Sequence, residues 1–144
     1  MVIFTDGGAR GNPGPAGIGF VVKMLPVTSN QLPVTISKFI GTATNNQAEY
    51  RAVIEALKWV KENIHLNHTS EVLQSVEIEC FLDSELIVEQ LNQRYKLKNE
   101  GLKPLFWETR DLVMQLGGKV TFKYIPRQKN KEADRLVNKV LDNR

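Results

Sequence analysis

The sequence predicts an α/β domain in which three antiparallel strands come first and helices then alternate with two further strands. Three apolar runs rich in β-forming residues precede any helical pattern, which points to an antiparallel meander. Helical spacing of apolar residues begins only after Thr44, and two later segments alternate in polarity between helices. The predicted order is β-β-β-α-β-α-α-β-α. No internal repeat, low-complexity tract or linker interrupts the 144 residues, so we predict one domain, 1–144.

The first three strands are predicted at residues 2–5, 18–22 and 34–40. Residues 2–5 form a short apolar run that stops at Asp6, which is typical of a buried strand. Residues 7–17 are dense in glycine and proline, so they are predicted to form a turn.

The first helix is predicted to open at residues 44–46 and to end within residues 63–70. Its apolar stripe recurs at helical spacing, at Val53, Leu57, Val60 and Ile64. A fourth strand is predicted over residues 76–82, where polarity alternates until Asp83. A short helix at residues 84–92 follows it.

The C-terminal part is predicted to form two helices with a fifth strand between them. The first of these helices tolerates Pro104 in its first turn and carries one apolar stripe, made of Leu102, Leu105, Leu112 and Leu116. The alternating residues 120–124 form the strand, which Pro126 closes. The last helix repeats apolar residues at helical spacing, at Ala133, Leu136, Val137, Val140 and Leu141.

Composition excludes several classes of protein. The lone cysteine, Cys80, cannot form an internal disulfide, and no group of Cys and His residues has zinc-ligand spacing. No apolar run reaches the roughly 18 residues of a membrane helix, and the N-terminal run is too short for a signal peptide. We therefore expect a cytoplasmic protein with no membrane partner. A net charge of +3 permits a polyanionic partner without requiring one.

Four acidic residues lie at positions in the predicted elements that are not typical of solvated surface acids. Asp6 and Asp83 each end a predicted buried strand, and ligands commonly bind beyond strand ends in sheets flanked by helices. Glu49 lies in the first turn of the first helix, and Asp134 borders the apolar face of the last helix. The four carboxyl groups would form one site if these elements meet.

Each of the four also has a simpler interpretation, which the spacing leaves open. Glu49 could complete a capping box that starts at Asn46, and Asp83 could cap the helix after it. Asp6 could bond the backbone of the turn that follows. Asp134 could be a solvated surface residue.

The glycine-rich segment 7–17 does not match a common nucleotide-binding loop. It lacks the Gly-Lys-Ser/Thr sequence of a Walker loop and leads into a strand rather than a helix. Nucleotide binding of the Walker or Rossmann kind is therefore not expected. A turn whose backbone approaches a ligand closely is the remaining functional interpretation.

Four blocks of the chain resemble the type 1 ribonucleases H. They occur in the order and spacing of that family, and together they span nearly the whole chain. The blocks are Thr5-Asp6-Gly7-Gly8 with the segment 11–17, Thr44-Asn45-Asn46-Gln47-Ala48-Glu49, Leu82-Asp83-Ser84, and Asn130-Lys131-Glu132-Ala133-Asp134.

The resemblance implies a ribonuclease H-like fold, with a five-stranded mixed sheet whose first three strands are antiparallel and which helices flank. It implies that Asp6, Glu49, Asp83 and Asp134 are catalytic and bind two Mg²⁺ ions, with Mn²⁺ as an alternative. Mg²⁺ prefers hard oxygen ligands, and two such ions can activate water and stabilise a leaving oxygen. The implied reaction is endonucleolytic cleavage of the RNA strand of RNA–DNA hybrids, leaving 5′-phosphate and 3′-hydroxyl ends. We expect a monomer with no protein partner.

The same resemblance implies residues that contact the sugars and phosphates of the hybrid. They are the backbone groups of Gly7 and Gly8 and the side chains of Asn12, Thr44, Asn45, Asn46 and Ser84. Amide side chains both donate and accept hydrogen bonds, which suits a 2′-hydroxyl group that does the same.

The loop before the last acid departs from the family pattern. Many members carry a histidine there, whereas His65 and His68 of this chain lie elsewhere, in the loop predicted after the first helix. Arg127 stands in the loop instead and is predicted to take a catalytic role. Arginine can hold phosphate by two hydrogen bonds, although it cannot shuttle a proton. The alternative is an exposed surface arginine.

A second departure lies between the short helix and the long one that follows. Residues 93–101, followed by Lys103 and Trp107, replace a longer basic insertion that some members use to grip the hybrid. This region is either a reduced substrate handle or a solvated connection. Glu85 stands where several relatives have a glutamine that approaches a base, so we predict no such contact here.

Two other functions are compatible with the same fold. One is a module that binds hybrids without cutting them. Such a module would be expected to lack one of the metal-binding acids, but all four acids are present. The other is a DNA nuclease of the wider superfamily, such as a junction resolvase or a transposase-type enzyme. Those enzymes resemble this chain in fold but not at Asn12 or at Asn45 and Asn46.

Overall fold

The computed structural model describes residues 1–24, 32–67 and 77–144, and for residues 64–67 it describes the backbone alone. Within these ranges lie five strands: β1 (Val2–Ala9), β2 (Gly14–Lys23), β3 (Val34–Ala43), β4 (Ile78–Leu82) and β5 (Val120–Tyr124). The helices are α1 (Asn45–Asn67), α2 (Glu85–Leu91), α3 (Lys103–Gln115) and α4 (Lys131–Asp142), with a 3₁₀ turn at Arg127–Lys129. The order of strands and α-helices is the predicted one.

The strands form one mixed sheet in the order β3-β2-β1-β4-β5. β1 pairs antiparallel with β2, and β2 with β3, which confirms the predicted meander. β4 pairs parallel with β1 and with β5, because helical connections return the chain to the same end of the sheet before each of these strands.

The glycine-rich segment is mostly strand, so the turn predicted over residues 7–17 is confined to residues 10–13. β1 continues past Asp6, β2 begins before residue 18, and Gly8 pairs with Gly17 between them. Strand pairing uses backbone groups alone, so glycines can take part wherever the rest of the chain holds them in register. Asp6 therefore lies inside a strand rather than at its end, which also excludes the interpretation of Asp6 as a turn residue.

α1 extends through most of the polar stretch in which it was predicted to end. It begins at Asn45 and continues to Asn67, so His65 lies in the helix and not in the predicted loop. Polar residues on a helix need no burial, so apolar spacing alone did not mark its end. His68 and Val76, the latter predicted to start the fourth strand, lie outside the described residues.

The main core lies between the sheet and the helices α1, α2 and α3. Its buried residues come from all of these elements and include Ile3, Phe20, Val22, Val53, Leu57, Val60, Ile78, Leu82, Ile87, Leu91, Leu112, Val113, Leu116 and Phe122. α4 packs against β1, β2 and β3 and buries most of its predicted apolar face, namely Ala133, Leu136, Val137 and Leu141. Cys80 is buried as a free thiol. No helix in the described ranges is long and apolar enough to span a membrane.

Candidate active site

Glu49 is brought to the sheet because α1 rests directly on the backbone of Gly7. A Cβ atom at position 7 would overlap the carbonyl group of Ala48 and lie 2.7 Å from the amide nitrogen of Glu49, so only glycine fits there. Gly7 follows Asp6 on β1, and successive strand residues face opposite sides of the sheet. The first turn of α1 therefore lies on β1 immediately beside Asp6.

A second glycine allows α4 to approach from the other side of the sheet. Gly19 is the pairing partner of Asp6, and directly paired residues share a face of the sheet. A Cβ atom at position 19 would lie 2.6 Å from both the carbonyl oxygen of Ala133 and the Cβ atom of Leu136. α4 thus packs on the face to which Asp6 belongs, and it brings Asp134, the residue after Ala133, to the same place.

The parallel pairing of β1 with β4 aligns Asp6 with Asp83. Phe4 pairs with Phe81, and the same register extended by two residues places Asp6 opposite Asp83. Asp83 directly follows Leu82, the last residue of β4, as predicted. The register of the sheet therefore joins acids that lie far apart in the sequence.

The predicted acids meet in one cluster. Carboxylate oxygens of Asp6, Glu49 and Asp83 lie within 4.8 Å of one another, forming a group in the described structure that could hold a metal ion. Asp134 lies outside this group of three, but it lines the same cleft as Asp6 and Glu49, and its charge contributes to the raised pKa of Asp6. Asp134 is therefore part of the site and not only a solvated surface residue.

Packing of the acids raises the pKa of two of them. Burial, followed by the charges of Asp83 and Asp134, raises the pKa of Asp6 from 3.8 to about 7, although a hydrogen bond with Glu49 opposes the rise. Burial and the charges of Asp6 and Asp83 raise the pKa of Glu49 well above its usual range, and the positive charge of Arg127 opposes this. A cation bound among these groups would offset the same repulsion.

The ligands that the cluster offers fit a divalent cation. Carboxylate oxygens are hard ligands of the kind that Mg²⁺ and Mn²⁺ prefer. Oε2 of Glu49 is buried and has no hydrogen-bond partner in the described structure. A buried carboxylate oxygen without a partner is unfavourable, and a bound cation would supply the missing interaction.

Three of the four acids, Asp6, Glu49 and Asp134, line a cleft of about 320 Å³. Its wall includes several residues that the sequence singled out, namely Asp6, Gly7, Gly8, Asn45, Glu49, Arg127 and Asp134. Arg127 is exposed in the 3₁₀ turn and lowers the pKa of Glu49, so its charge is directed toward the acids. The structure places Arg127 at the site, and its catalytic role stays a prediction.

Asn12 and Asn45 direct their side-chain oxygens toward backbone donors. Oδ1 of Asn45 accepts a hydrogen bond from the amide of Ala9 at 2.9 Å, and Oδ1 of Asn12 accepts one from the amide of Asn45 at 3.0 Å. No hydrogen bond from either NH₂ group occurs among the described residues, so both groups are available as donors. The two residues lie in a second cleft of about 420 Å³, whose lining is Asn12, Thr44, Asn45, Asn46, Gln47, Asn99 and Leu102.

The capping interpretations of Glu49 and Asp83 are both wrong. Thr44 and Gln47 form the capping box of α1: the Thr44 amide donates to Oε1 of Gln47 at 2.9 Å, and the Gln47 amide donates to Oγ1 of Thr44 at 3.1 Å. At α2 the cap is Ser84, whose Oγ accepts a backbone hydrogen bond at 3.4 Å. Glu49 and Asp83 are thus free for the acid cluster, whereas Ser84 lines neither cleft.

Three asparagines at the site were not among the predicted site residues. Asn130 donates a hydrogen bond to Oδ2 of Asp83 at 3.0 Å, and Asn138 donates one to Oδ2 of Asp134 at 3.4 Å. Asn99 lines the second cleft. Asn130 belongs to one of the four motif blocks, which was a usable signal, but its partner depends on a contact between distant parts of the chain.

The segment that replaces the basic insertion forms a groove of about 500 Å³. Positive charge comes from Arg94, Lys96 and Lys103, while the aromatic side chains of Tyr95 and Trp107 are 50% and 63% exposed. Cationic and aromatic side chains together are what nucleic-acid strands contact. Two of the three cations are ion-paired with nearby glutamates, so the groove is compatible with both interpretations, a reduced substrate handle and a solvated connection.

Comparison with known proteins assigns the family. A family model described as reverse transcriptase-like matches residues 4–140. The solved structure of LC11-RNase H1, isolated from compost by a metagenomic approach, is 42% identical, covers 99% of this chain and 95% of that protein, and superposes with a TM-score of 0.85. This chain belongs to the ribonuclease H family. The match is consistent with the type 1 group that the motifs indicated.

Two curated proteins extend the comparison within the ribonuclease H family. A bifunctional protein of Mycobacterium tuberculosis is 37% identical over 99% of this chain but only 35% of its own length. Ribonuclease HI of Halobacterium salinarum is 32% identical over 96% of this chain and 63% of its own length. The chain therefore spans about a third of the first relative and under two thirds of the second.

Proposed function

We propose that this protein is an endoribonuclease that hydrolyses the RNA strand of RNA–DNA hybrids. The observation that carries the proposal is the meeting of Asp6, Glu49 and Asp83 in one cluster, beside a cleft that Asp6, Glu49 and Asp134 line. Membership of the ribonuclease H family supports it. LC11-RNase H1, at 40% identity, has also been solved in complex with an RNA/DNA hybrid.

The four acids would hold two Mg²⁺ ions, with Mn²⁺ as an alternative. Proteins bind Mg²⁺ through a few carboxylates, leaving other positions for water and substrate phosphate, which suits acids that line an open cleft. When bound, such ions would supply activation of a water molecule and stabilisation of the oxygen that leaves phosphorus. Cleavage of the bond between phosphorus and the 3′-oxygen would leave a 5′-phosphate and a 3′-hydroxyl end.

The role of the protein groups is to hold the scissile phosphate over the acids and to recognise RNA. Arg127 can donate two hydrogen bonds to a phosphate. The backbone of Gly7 and Gly8 lines the cleft, where a nucleic acid can contact it. The free NH₂ groups of Asn12 and Asn45 can donate to a 2′-hydroxyl, the group that distinguishes RNA from DNA. The full set of proposed substrate contacts is Gly7, Gly8, Asn12, Thr44, Asn45, Asn46 and Ser84.

Cleavage of end-labelled substrates tests the proposal. We expect the RNA strand of a hybrid to be cut in Mg²⁺ but not in EDTA, and duplex DNA to remain intact. Asp6→Asn should bind the hybrid without cutting it, because the change removes a charged ligand and preserves the size of the side chain. The matched change Asp111→Asn, at an exposed position of α3, should leave cleavage unchanged.

Three outcomes would contradict the proposal. Undiminished cutting in EDTA would exclude a metal-dependent reaction. Preferential cutting of duplex DNA would indicate a DNA nuclease of the wider superfamily. Binding of the hybrid by the wild type without any cutting would indicate a non-cleaving module.

These 144 residues span 35% of the mycobacterial relative, and the proposed activity is that of these residues alone. A single domain, a monomeric state, the absence of a protein partner and a cytoplasmic location stay predictions. Size-exclusion chromatography with light scattering tests the monomeric state directly.

A further inference from the structure

Asn130 contacts three parts of the acid cluster at once. Its side chain is 2% exposed. Nδ2 donates a hydrogen bond to the carbonyl oxygen of Thr5 at 2.8 Å and another to Oδ2 of Asp83 at 3.0 Å. The backbone carbonyl of Asn130 accepts a hydrogen bond from the amide of Asp134 at 3.1 Å. One residue thus joins the position before Asp6, the end of β4 and the first turn of α4.

The NH₂ group, and not the amide oxygen, is what this position requires. The Thr5 carbonyl and the Asp83 carboxylate are both acceptors, and they use both N–H bonds of the amide. Oδ1 of Asn130 is left buried with no partner among the described residues. The two hydrogen bonds that Nδ2 donates are therefore the polar contacts that the side chain makes at this position.

The hydrogen bond from Asn130 opposes the repulsion inside the cluster. Asp83 keeps a carboxylate oxygen within 4.8 Å of those of Asp6 and Glu49, although it is only partly buried. A donor held against Oδ2 restricts rotation of the Asp83 carboxyl group. Without this donor, repulsion from the other two acids would favour rotamers that point away from the cluster.

We propose that Asn130 is a positioning residue, which holds Asp83 in the orientation that a divalent cation requires. Through its side-chain hydrogen bond to Thr5 it also joins the start of α4 to β1 at the site. The inference rests on the proposed function of the acid cluster as a metal site. Partners that orient metal ligands in this way typically contribute about 10- to 100-fold to metal affinity or activity.

Asn130→Ala tests this role when it is compared with Asn92→Ala. Nδ2 of Asn92 donates to the carbonyl of Phe122 at 3.0 Å, so the control loses a similar long-range hydrogen bond that involves no acid. Calorimetric titration with Mg²⁺ alone should show about tenfold or greater weakening for Asn130→Ala only. In hybrid cleavage, the Mg²⁺ concentration for half-maximal rate should rise and kcat should fall, whereas KM for the hybrid should not change.

Asn130→Ser provides a second variant if the alanine protein does not fold. Serine is favoured at the residue before a helix, and its short hydroxyl offers one donor where the amide offers two, so weakened Mg²⁺ binding is expected here too. A folded Asn130 variant that binds Mg²⁺ and cleaves as Asn92→Ala does would overturn the inference. Absence of hybrid cleavage by the wild type would instead refute the proposed function, and the titration would still measure the effect of Asn130.

Discussion

Asp6 on β1 and Gly19 on β2 are direct partners in the antiparallel pairing, and α4 packs over the position where Gly19 has no side chain. Because Gly19 has no side chain, α4 can pack close to the sheet, and α4 brings Asp134 beside Asp6. The distance between two of the acids depends on how closely α4 can approach the sheet. The packing of α4 on the sheet therefore also sets the geometry of the acid cluster.

Replacement of Gly19 by alanine should move α4 away from the sheet. The new Cβ atom would lie 2.6 Å from the backbone carbonyl oxygen of Ala133, which cannot yield without a shift of the helix. We expect a loss of about 2 kcal/mol in the free energy of unfolding. We also expect that replacing Asp134 lowers the cleavage rate less in this variant than in the wild type. Gly8→Ala is the matched control for stability, because its Cβ would meet neighbours at an ordinary 3.8 Å. Equal unfolding midpoints for the two variants would contradict the prediction.

Asp6→Asn should stabilise the metal-free protein at alkaline pH. The folded-state pKa of Asp6 is raised from 3.8 to about 7, so ionisation costs stability only above the unfolded-state pKa. The cost is absent below about pH 4, grows as the pH rises to about 7, and then stays constant, reaching at most about 4 kcal/mol. Wild type in EDTA should therefore unfold more easily at pH 8 than at pH 5.

Thermal unfolding in EDTA at several pH values measures this effect. The asparagine variant should show a smaller loss of stability between pH 5 and pH 8 than the wild type, and Asp111→Asn should behave as the wild type. Addition of Mg²⁺ should stabilise the wild type more at pH 8, where the acids are ionised and can bind it. The same pH dependence in the wild type and in Asp6→Asn would show that the ionisation of Asp6 is not its cause.

Arg127→Ala should lower turnover more than affinity for the hybrid. Arg127 lines the cleft beside the acids and lowers the pKa of Glu49, and the proposed function assigns it to the scissile phosphate. We expect kcat to fall about 10- to 100-fold, as for loss of a donor that stabilises developing charge. Lys129→Ala, in the same 3₁₀ turn but outside the cleft lining, is the control in steady-state kinetics. An unchanged kcat would reject a catalytic role for Arg127.

Asn12→Asp should weaken hybrid binding and leave the chemical step intact. The aspartate retains an oxygen that can accept from the amide of Asn45, as Oδ1 now does at 3.0 Å, but it replaces the free NH₂ donor by a negative charge. KM should rise about tenfold or more while kcat stays close to the wild-type value. Asn63→Asp, near the far end of α1, introduces the same charge away from the clefts and should leave both constants unchanged.

The active-site acids show where prediction from the sequence succeeds and where it fails. Asp83 was expected at a strand end and lies there, whereas Asp6 was expected at a strand end and lies within β1. Glycines have no side chain, so an alternation of apolar side chains could not reveal that residues 7–9 pair with β2. The capping residues of α1 and α2 were misplaced by one or two positions for a related reason, since a cap is decided by backbone geometry.

The sequence by itself determined the order of strands and helices, the apolar faces they bury, and the identity of the four acids through their motif blocks. Those properties depend on local spacing and on residue type, which a linear chain displays directly. Only the tertiary structure decided that Asp6 aligns with Asp83, that Gly7 and Gly19 admit two helices to opposite faces, and that Asn130 bonds Asp83. These are contacts between residues far apart in the chain, and their geometry is set by sheet register and helix packing, which no local pattern encodes.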